Sequence, residues 1–243
     1  MELRGKAALV TGAGRRVGRA LAVALGEQGM RVAVHYGSSA AGAEETARRI
    51  EAAGGTAAAI AADLTQPGAP ERLIDEVSSR FGALDVLVNS AAIMQRTPVG
   101  TVTVTDWDAM FALNLRAPFF LSQAAAPHLA RAHGAIVNIA DLAAFETWPG
   151  YIPHSITKAG VVQMTRALAH VLAPDVRVNA IAPGAVLLPD EWGEGEADRL
   201  RQSTPLRRLG SPADVVSAML FLLAAEYVTG DVVIVDGGRH VRR

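Results

Sequence analysis

Short apolar runs, many of them β-branched, alternate with longer Ala/Leu/Arg segments along the whole sequence, and this alternation limits the possible folds more than any other feature. The runs predict buried strands at Ala7–Thr11, Arg31–His35, Thr56–Ala61, Leu84–Val88, Ala135–Ile139, Val176–Ile181 and Val232–Val235. Helical segments between them end at glycine, as at Gly29 and at Gly54-Gly55. We therefore predict an α/β fold: a doubly wound (Rossmann-like), mostly parallel seven-stranded sheet with helices on both faces.

No linker, repeat or low-complexity tract interrupts this pattern, so residues 1–243 are expected to form a single domain. The most polar irregular segment, Pro189 to Arg201, predicts a mobile loop. Its acidic cluster shows no regular ligand spacing and indicates a solvated lid rather than a metal site.

Charge and composition exclude several classes of protein. The chain has 23 Lys+Arg against 24 Asp+Glu and lacks a basic run, so no nucleic-acid partner is expected. It has no cysteine, and no apolar stretch approaches the roughly 18 residues of a membrane helix. The charged amino terminus has too short an apolar run for a signal peptide. We expect a cytoplasmic protein with a small-molecule partner and no membrane association. No metal is expected, because the histidines show no metal-ligand spacing.

A glycine-rich turn follows the first predicted strand directly. The sequence Thr11-Gly12-Ala13-Gly14-Arg15-Arg16-Val17-Gly18 opens a helix, and such glycines let a pyrophosphate approach the helix amides. A tight turn with no ligand is the alternative. The position after strand one favours a nucleotide.

The end of the second strand distinguishes between the two nicotinamide nucleotides. An NAD site normally offers a carboxylate there for the ribose hydroxyl. This chain instead has His35, Tyr36, Gly37, Ser38 and Ser39. Arg15 and Arg16 in the facing turn could bind a 2′-phosphate, or could merely face solvent. The hypothesis is that the cofactor is NADP(H).

Together these residues resemble the short-chain dehydrogenase/reductase family over essentially the whole chain. The features that resemble its pteridine reductase branch are Arg16 in place of the middle glycine, His35-Tyr36 followed by serines, and the run from Asn114 to Leu121. Motifs shared with the family at large are Asp63-Leu64, Asn89-Ser90-Ala91-Ala92, Pro183-Gly184 and Asp236-Gly237-Gly238.

The resemblance implies particular cofactor contacts. Asp63 and Leu64 would lie near the adenine, and Asn89 and Ala91 would line the cofactor cleft. Pro183, Gly184 and Val186 would flank the nicotinamide. Gly12, Val17 and Lys158 complete the expected cofactor-binding set. The resemblance also implies a homotetramer.

The catalytic positions depart from the family pattern. The family has a serine after the fifth strand, then a tyrosine and a lysine, and the corresponding residues here are Asp141, His154 and Lys158. Aspartate in the first position resembles pteridine reductases, where it takes part in protonating the pterin ring. Histidine in place of the tyrosine matches neither branch. Asn114 would support a proton-relay water.

His154 and Lys158 share a helix face by their four-residue spacing. Imidazole, with an ordinary pKa of about 6.5, exchanges protons near neutrality unaided, so histidine can chemically serve as the acid. It reaches less far than a phenol, however, so a structural helix residue is the alternative for His154. A turn cap is the alternative for Asp141. Tyr151 points in a different direction and is a weak substitute.

Substrate contacts are expected from the loops Ile93 to Pro98, Leu142 to Gly150 and Leu187 to Arg201. Trp148 and Trp192 could stack on a flat heterocycle or could be packing anchors. Met94 stands near the position of a pteridine reductase aromatic that sandwiches the pterin, and methionine cannot stack as a ring does.

The sequence therefore predicts an NADPH-dependent reductase that transfers hydride to a pterin-like C=N bond or to a carbonyl. Two alternatives remain open at this point. One is a reductase of ketones or 3-oxoacyl thioesters, and the other is a catalytically silent NADP(H)-binding protein.

Overall fold

The computed structural model describes residues 1–188 and 193–241. Seven strands form one sheet: β1 (Ala7–Val10), β2 (Arg31–Tyr36), β3 (Thr56–Ala61), β4 (Val86–Asn89), β5 (Ala135–Ile139), β6 (Arg177–Pro183) and β7 (Val232–Val235). Their order is β3-β2-β1-β4-β5-β6-β7. Every neighbouring pair is parallel, which confirms the predicted doubly wound sheet.

Eight α-helices are described: α1 (Arg16–Glu27), α2 (Ala40–Ala52), α3 (Ala69–Phe81), α4 (Val104–Phe111), α5 (Ala117–Ala132), α6 (Ile152–Leu172), α7 (Glu194–Ser203) and α8 (Pro212–Ala224). A π-helical segment, Ala112–Arg116, joins α4 to α5. A short 3₁₀ turn, Leu142–Ala144, follows β5.

The strands are mostly apolar because helices cover both faces of the sheet. Alternate residues of β1 illustrate this: Ala8 and Val10 pack in the core layer under α1, α2 and α8, whereas Leu9 packs in the layer under α3 and α5. The period of two along a strand thus divides the core into two layers.

Sequence and structure differ at some element ends. β4 begins at Val86, two residues later than predicted, and β6 continues to Pro183 because Ala182 and Pro183 still pair with β7. Proline is tolerated at the last position, where its missing N–H costs the ladder little.

The prediction of a loop over Pro189 to Arg201 is wrong for its second half, because α7 begins at Glu194. The Glu196 carboxylate accepts from the Gly193 N–H at 3.1 Å, and it also pairs with Arg199 one turn later. Buried Ala197 anchors the helix. Local charge pairs and one small apolar contact therefore make a helix from a segment of high polarity.

Strand order reverses between β1 and β4, so the turns that follow these strands diverge and leave a crevice at the carboxyl edge of the sheet. In doubly wound folds this is where ligands bind.

Candidate active site

One cavity of about 810 Å³ lies in this crevice. It extends from the glycine-rich turn after β1, past the end of β5, to the loop before α6. The predicted site residues that line it are Gly12, Arg15, Arg16, Val17, His35, Tyr36, Ser38, Ser39, Asp63, Leu64, Ala91, Met94, Asp141, Trp148, His154, Lys158, Pro183, Gly184 and Val186. The structure thus gathers most of the predicted set around one space.

Glycine is required in the turn after β1 for two reasons. Gly12 has a φ of +66°, and a Cβ there would lie 2.8 Å from the Cα of Ala91. A Cβ on Gly18 would lie 2.3 Å from the carbonyl oxygen of Gly12. The turn is therefore pressed against both α1 and the segment after β4, where Thr11 Oγ1 accepts from the N–H groups of Ser90 and Ala91 at 3.0 Å each.

The amino terminus of α1 opens onto the cavity with free donors. Its N-cap residue, Arg15, makes no side-chain capping hydrogen bond, and the first turn contains no acidic residue. Uncapped N–H groups at the positive end of a helix bind phosphate well. This end of the cavity therefore fits the pyrophosphate of a dinucleotide.

The two arginines of the turn differ in their contacts. Arg16 donates from Nη2 to the Leu187 carbonyl at 2.9 Å, so its guanidinium joins the two sides of the cleft. Arg15 is exposed and has no hydrogen bond within the described residues, which leaves its donors available for an anion. Of the two candidates for a 2′-phosphate, Arg15 has the free guanidinium.

His35 has a positioning role beneath the turn. Its Nδ1 accepts from the Gly12 N–H at 3.2 Å, so its Nε2 carries the proton and donates to the Ala62 carbonyl at 3.0 Å. Burial lowers the pKa of His35 to about 4. Both nitrogens of this neutral ring are used within the protein, and the residue joins β1 to the end of β3.

Asp63 is fixed by its own turn. Its carboxylate accepts from the Thr65 N–H at 3.0 Å, from the Thr65 hydroxyl at 2.6 Å and from Gln66 Nε2 at 3.0 Å. These bonds, the Thr65 hydroxyl foremost, lower the pKa of Asp63. The carboxylate holds this edge of the cavity in shape.

Asn89 does not line the cavity as expected, and lies in the core behind it. Its Nδ2 donates to Asn138 Oδ1 at 2.9 Å and to Ser122 Oγ at 3.2 Å, and Asn138 in turn donates to Thr165. Asn89 is the last residue of β4, and its side chain bonds to Ser122 of α5 and to the neighbouring strand β5. The cavity wall therefore begins with Ser90.

Asp141, His154 and Lys158 meet at the centre of the cavity. Asp141 begins the 3₁₀ turn after β5, and its Oδ1 caps that turn by accepting from the Ala143 N–H at 2.8 Å. Its Oδ2 lies 3.5 Å from Nε2 of His154. One carboxylate oxygen thus caps the turn, which is the alternative role given for Asp141, and the other faces His154.

His154 is only 2% exposed and is held by the loop after β4. Its Nδ1 lies 3.3 Å from the Ile93 carbonyl, and a carbonyl can only accept, so Nδ1 carries a proton. Nε2 has no hydrogen-bond partner among the described residues although it is buried. The imidazole therefore presents Nε2 to Asp141, which lines the cavity.

Asn114 supports the same loop from below. It lies in the π-helical segment, where its Oδ1 accepts from the Ile93 N–H at 2.9 Å and its Nδ2 donates to the Ile93 carbonyl at 2.8 Å. It also donates to Thr157 at 3.3 Å. Its carboxamide is thus bonded within the protein and fixes the carbonyl that holds His154, which makes Asn114 a positioning residue.

Lys158 is almost completely buried one turn beyond His154, and its Nζ donates to the Ile139 carbonyl at 2.8 Å. Burial lowers its pKa to about 8, against an opposing effect of the Asp141 charge. An ammonium that costs this much to bury indicates a functional demand for the charge.

The far end of the cavity has an aromatic wall. Trp148 donates from Nε1 to Glu146 at 2.9 Å, and its ring packs edge-on against Tyr151 with centroids 6.3 Å apart. Arg239, from the turn after β7, pairs with Glu146 at 3.3 Å and lies 5.7 Å from the Trp148 ring centroid. Trp148 is thus both a cavity wall and a packing anchor, whereas Trp192 lies outside the described residues.

Sequence reasoning missed several contributors to the site. The carbonyls of Ile93 and Ile139 are backbone groups, for which the sequence carries no signal. Arg96 lies in the loop expected to contact substrate, but its charge was not recognised as part of the site. Arg239 of this same chain reaches the cavity, and its place just after the Gly237-Gly238 turn was the available signal.

Two negative observations apply to the described part of the chain. No three histidine or carboxylate side chains come close enough together to hold a metal ion. None of the helices there is long and apolar enough to cross a bilayer.

Comparison with known proteins identifies the family. A family model described as enoyl-(acyl carrier protein) reductase matches residues 12–240. A crystal structure of a dehydrogenase/reductase from Sinorhizobium meliloti superimposes with a TM-score of 0.92 at 35% identity, over 98% of this chain and 97% of that one. The chain belongs to the short-chain dehydrogenase/reductase family. The family prediction and the fold prediction are therefore confirmed.

Curated relatives in the family cover nearly the full length. The 3-oxoacyl-[acyl-carrier-protein] reductase FabG of Staphylococcus aureus is 36% identical over 97% of this chain and 98% of its own. The 3beta-hydroxysteroid dehydrogenase 1 of Eggerthella lenta is 35% identical over 98% of this chain and 94% of its own. These names support an oxidoreductase and do not specifically support the pteridine reductase branch.

Proposed function

We propose that the protein is an NADPH-dependent reductase of carbonyl compounds in which His154, together with Asp141, delivers the proton. One observation carries this proposal. The Nε2 atom of His154 is buried, has no hydrogen-bond partner among the described residues, and lies 3.5 Å from Asp141 Oδ2.

The hydrogen bond at Nδ1 of His154 decides which atoms of the His154–Asp141 pair can carry a further proton. Since Nδ1 donates to the Ile93 carbonyl, a neutral imidazole would turn a lone pair on Nε2 toward a carboxylate, and two acceptors repel. The contact becomes attractive when one further proton lies on Nε2 or on Oδ2. In that protonated form the pair has the proton that a general acid transfers.

Lys158 supports this acid electrostatically. Its ammonium repels a second positive charge on His154 and so favours release of the proton to substrate. The same ammonium, held at the end of β5 by Ile139, is suited to donate to the hydroxyls of a nicotinamide ribose.

The chain's residues fit a dinucleotide from one end of the cavity to the other. The uncapped start of α1 would hold the pyrophosphate, and Pro183, Gly184 and Val186 line the wall beside Lys158 where the nicotinamide would lie. When bound, the reduced nicotinamide supplies the hydride.

NADPH is favoured over NADH by the charges at the adenosine end. The end of β2 has serines where an NAD site has a carboxylate, and the free guanidinium of Arg15 lines the same part of the cavity. A 2′-phosphate would gain charge-assisted hydrogen bonds there.

A carbonyl substrate is favoured by the relatives, whose names specify 3-oxoacyl and hydroxysteroid chemistry. The pterin prediction rests on Asp141 and on the pteridine reductase-like features at Arg16, at His35-Tyr36 and from Asn114 to Leu121, and it stays a prediction. Met94, on the cavity wall, cannot stack on a pterin as an aromatic side chain would.

The test is NADPH oxidation by the purified protein, with product identification, against ketones, 3-oxoacyl thioesters and dihydropterins. Reduction of the carbonyl compounds, lost in Asp141→Ala without loss of NADPH affinity, supports the proposal. Turnover of pterins alone would restore the pterin assignment. NADPH binding without oxidation of any compound would favour the silent binding protein.

A further inference from the structure

We infer that the substrate carries an anionic group, a carboxylate or a phosphate, which Arg96 and Arg239 bind at the outer end of the cavity. This inference rests on the proposed function, because it names the substrate class of the same site. It concerns the part of the cavity that is lined by Trp148 and Gly150.

Arg239 lines this part of the cavity, and within the described part of the chain its guanidinium makes an ion pair through only one nitrogen. Its side chain is only 17% exposed and one Nη atom pairs with Glu146. Its Nε is buried and lacks a hydrogen-bond partner among the described residues. A guanidinium has five N–H donors in a planar fork. Because Nε is buried, the donors that remain for an oxyanion are the Nη hydrogens that Glu146 does not accept.

Arg96 is an unpaired cation on the same wall. It lines the cavity, and within residues 1–188 and 193–241 it has no hydrogen bond or ion pair. Its stem lies along Gly150, where an added Cβ would stand 3.4 Å from Nε. The Thr97 N–H donates to the Gly150 carbonyl at 2.8 Å and fixes this pairing of the two loops.

The two arginines flank one short segment. Gly150, beside Arg96, leads directly into Tyr151, whose ring packs on Trp148, and Arg239 lies over that same Trp148. Both arginines line the cavity, and the segment from Trp148 to Tyr151 contacts both of them.

Arg96 has no countercharge among the described residues at this end of the cavity. Of the described residues that line this end, Arg96, Arg239 and Lys158 are cationic and Asp141 is anionic. Glu146 does not line the cavity but pairs with Arg239. Glu146 is committed to Trp148 and Arg239, and Asp141 to Ala143 and His154. Neither carboxylate is free to neutralise Arg96, so a substrate anion would complete the balance.

The experiment compares each anionic carbonyl compound with its neutral counterpart: acetoacetate with methyl acetoacetate, and dihydroxyacetone phosphate with dihydroxyacetone. kcat/KM with NADPH is measured for the wild type, Arg96→Gln and Arg239→Lys. Arg80→Gln, an exposed residue of α3 away from the cavity, is the matched control. In parallel, calorimetry measures binding of the two anionic probes to the NADP⁺ complex, where no reduction can occur.

We expect the wild type to prefer an anionic probe over its neutral counterpart. Arg96→Gln should lower kcat/KM for that probe by about 10- to 100-fold, the value of a hydrogen bond to a charged group, and leave the neutral probe unchanged. Arg239→Lys keeps the charge but loses the fork, so it should weaken the anionic probe as well. Preference for acetoacetate or for dihydroxyacetone phosphate identifies the anion as carboxylate or phosphate.

The outcomes separate this inference from the function. Reduction of neutral and anionic probes at equal rates, unaffected by Arg96→Gln, overturns the anion site while the reductase stands. Absence of NADPH oxidation, with Arg96-dependent binding of an anionic probe in calorimetry, overturns the reductase while the anion site stands. Failure of both anionic probes to bind overturns the inference.

Discussion

Replacing Lys158 with methionine should make the protein more stable at neutral pH. The ammonium is buried in the cavity wall, and its pKa falls from 10.5 to about 8, chiefly through burial. That shift corresponds to about 3 kcal/mol of unfavourable free energy for the charged form, at about 1.4 kcal/mol per pKa unit. Methionine has nearly the same volume and no charge, so it removes this cost.

The variant also loses the hydrogen bond to the Ile139 carbonyl, worth about 1 kcal/mol, so the expected net gain in free energy of unfolding is about 2 kcal/mol. The gain depends on pH in a defined direction. Because the pKa is lower in the folded state than in the unfolded state, the cost is fully present below about pH 8 and disappears as the pH rises toward 10.5. Above that range the variant should be the less stable protein.

Urea unfolding at fixed protein concentration, followed by tryptophan fluorescence at pH 7, 9 and 10.5, measures the difference. Lys6→Met is the control, because Lys6 is the only other lysine and is a partly exposed partner of Asp85. It should give no gain at any pH. A Lys158→Met protein that is less stable than wild type at pH 7, or whose gain is independent of pH, would refute the reasoning.

Three further predictions follow from the same geometry. Burial lowers the pKa of His35 from 6.5 to about 4, so wild-type stability should fall by up to about 3 kcal/mol as the pH drops through that interval. His35→Asn should lack this part of the acid sensitivity in urea titrations. Arg15→Gln should weaken NADPH binding by about 10-fold or more and leave NADH binding unchanged, by fluorescence titration; equal effects on both would remove Arg15 from 2′-phosphate recognition. His154→Tyr should lose turnover, because a phenol has no ring N–H that could donate to the Ile93 carbonyl in the way that Nδ1 does. A gain in rate would instead indicate that this chain lost activity when the family tyrosine was replaced.

Much of the fold followed from the sequence because its signals are local and repeated. Apolar runs mark the strands, and glycines mark the ends of the first two helices. The helix at Glu194–Ser203 was missed because its stability comes from charge pairs and a single buried alanine, which resemble a solvated loop in composition.

The site was predictable in its membership and less so in its roles. Asp141, His154 and Lys158, which the resemblance put at the catalytic positions, all line the same cavity. The sequence could not reveal that the Asn114 carboxamide bonds to the backbone of Ile93, or that both ring nitrogens of His35 are hydrogen-bonded. These roles depend on the positions of backbone groups that the folded loops set. Arg239 was also missed, because it reaches the cavity only through the folded turn after β7.

The most direct test of the account replaces His154 with phenylalanine, which fills the buried site but carries no proton. Single-turnover oxidation of NADPH is measured in the presence of the best carbonyl substrate, with NADPH affinity measured in parallel. The account predicts a loss of rate of about 100- to 10,000-fold, the usual value of a positioned general acid, with NADPH binding retained. A His154→Phe protein that reduces the substrate at the wild-type rate would contradict the role of His154.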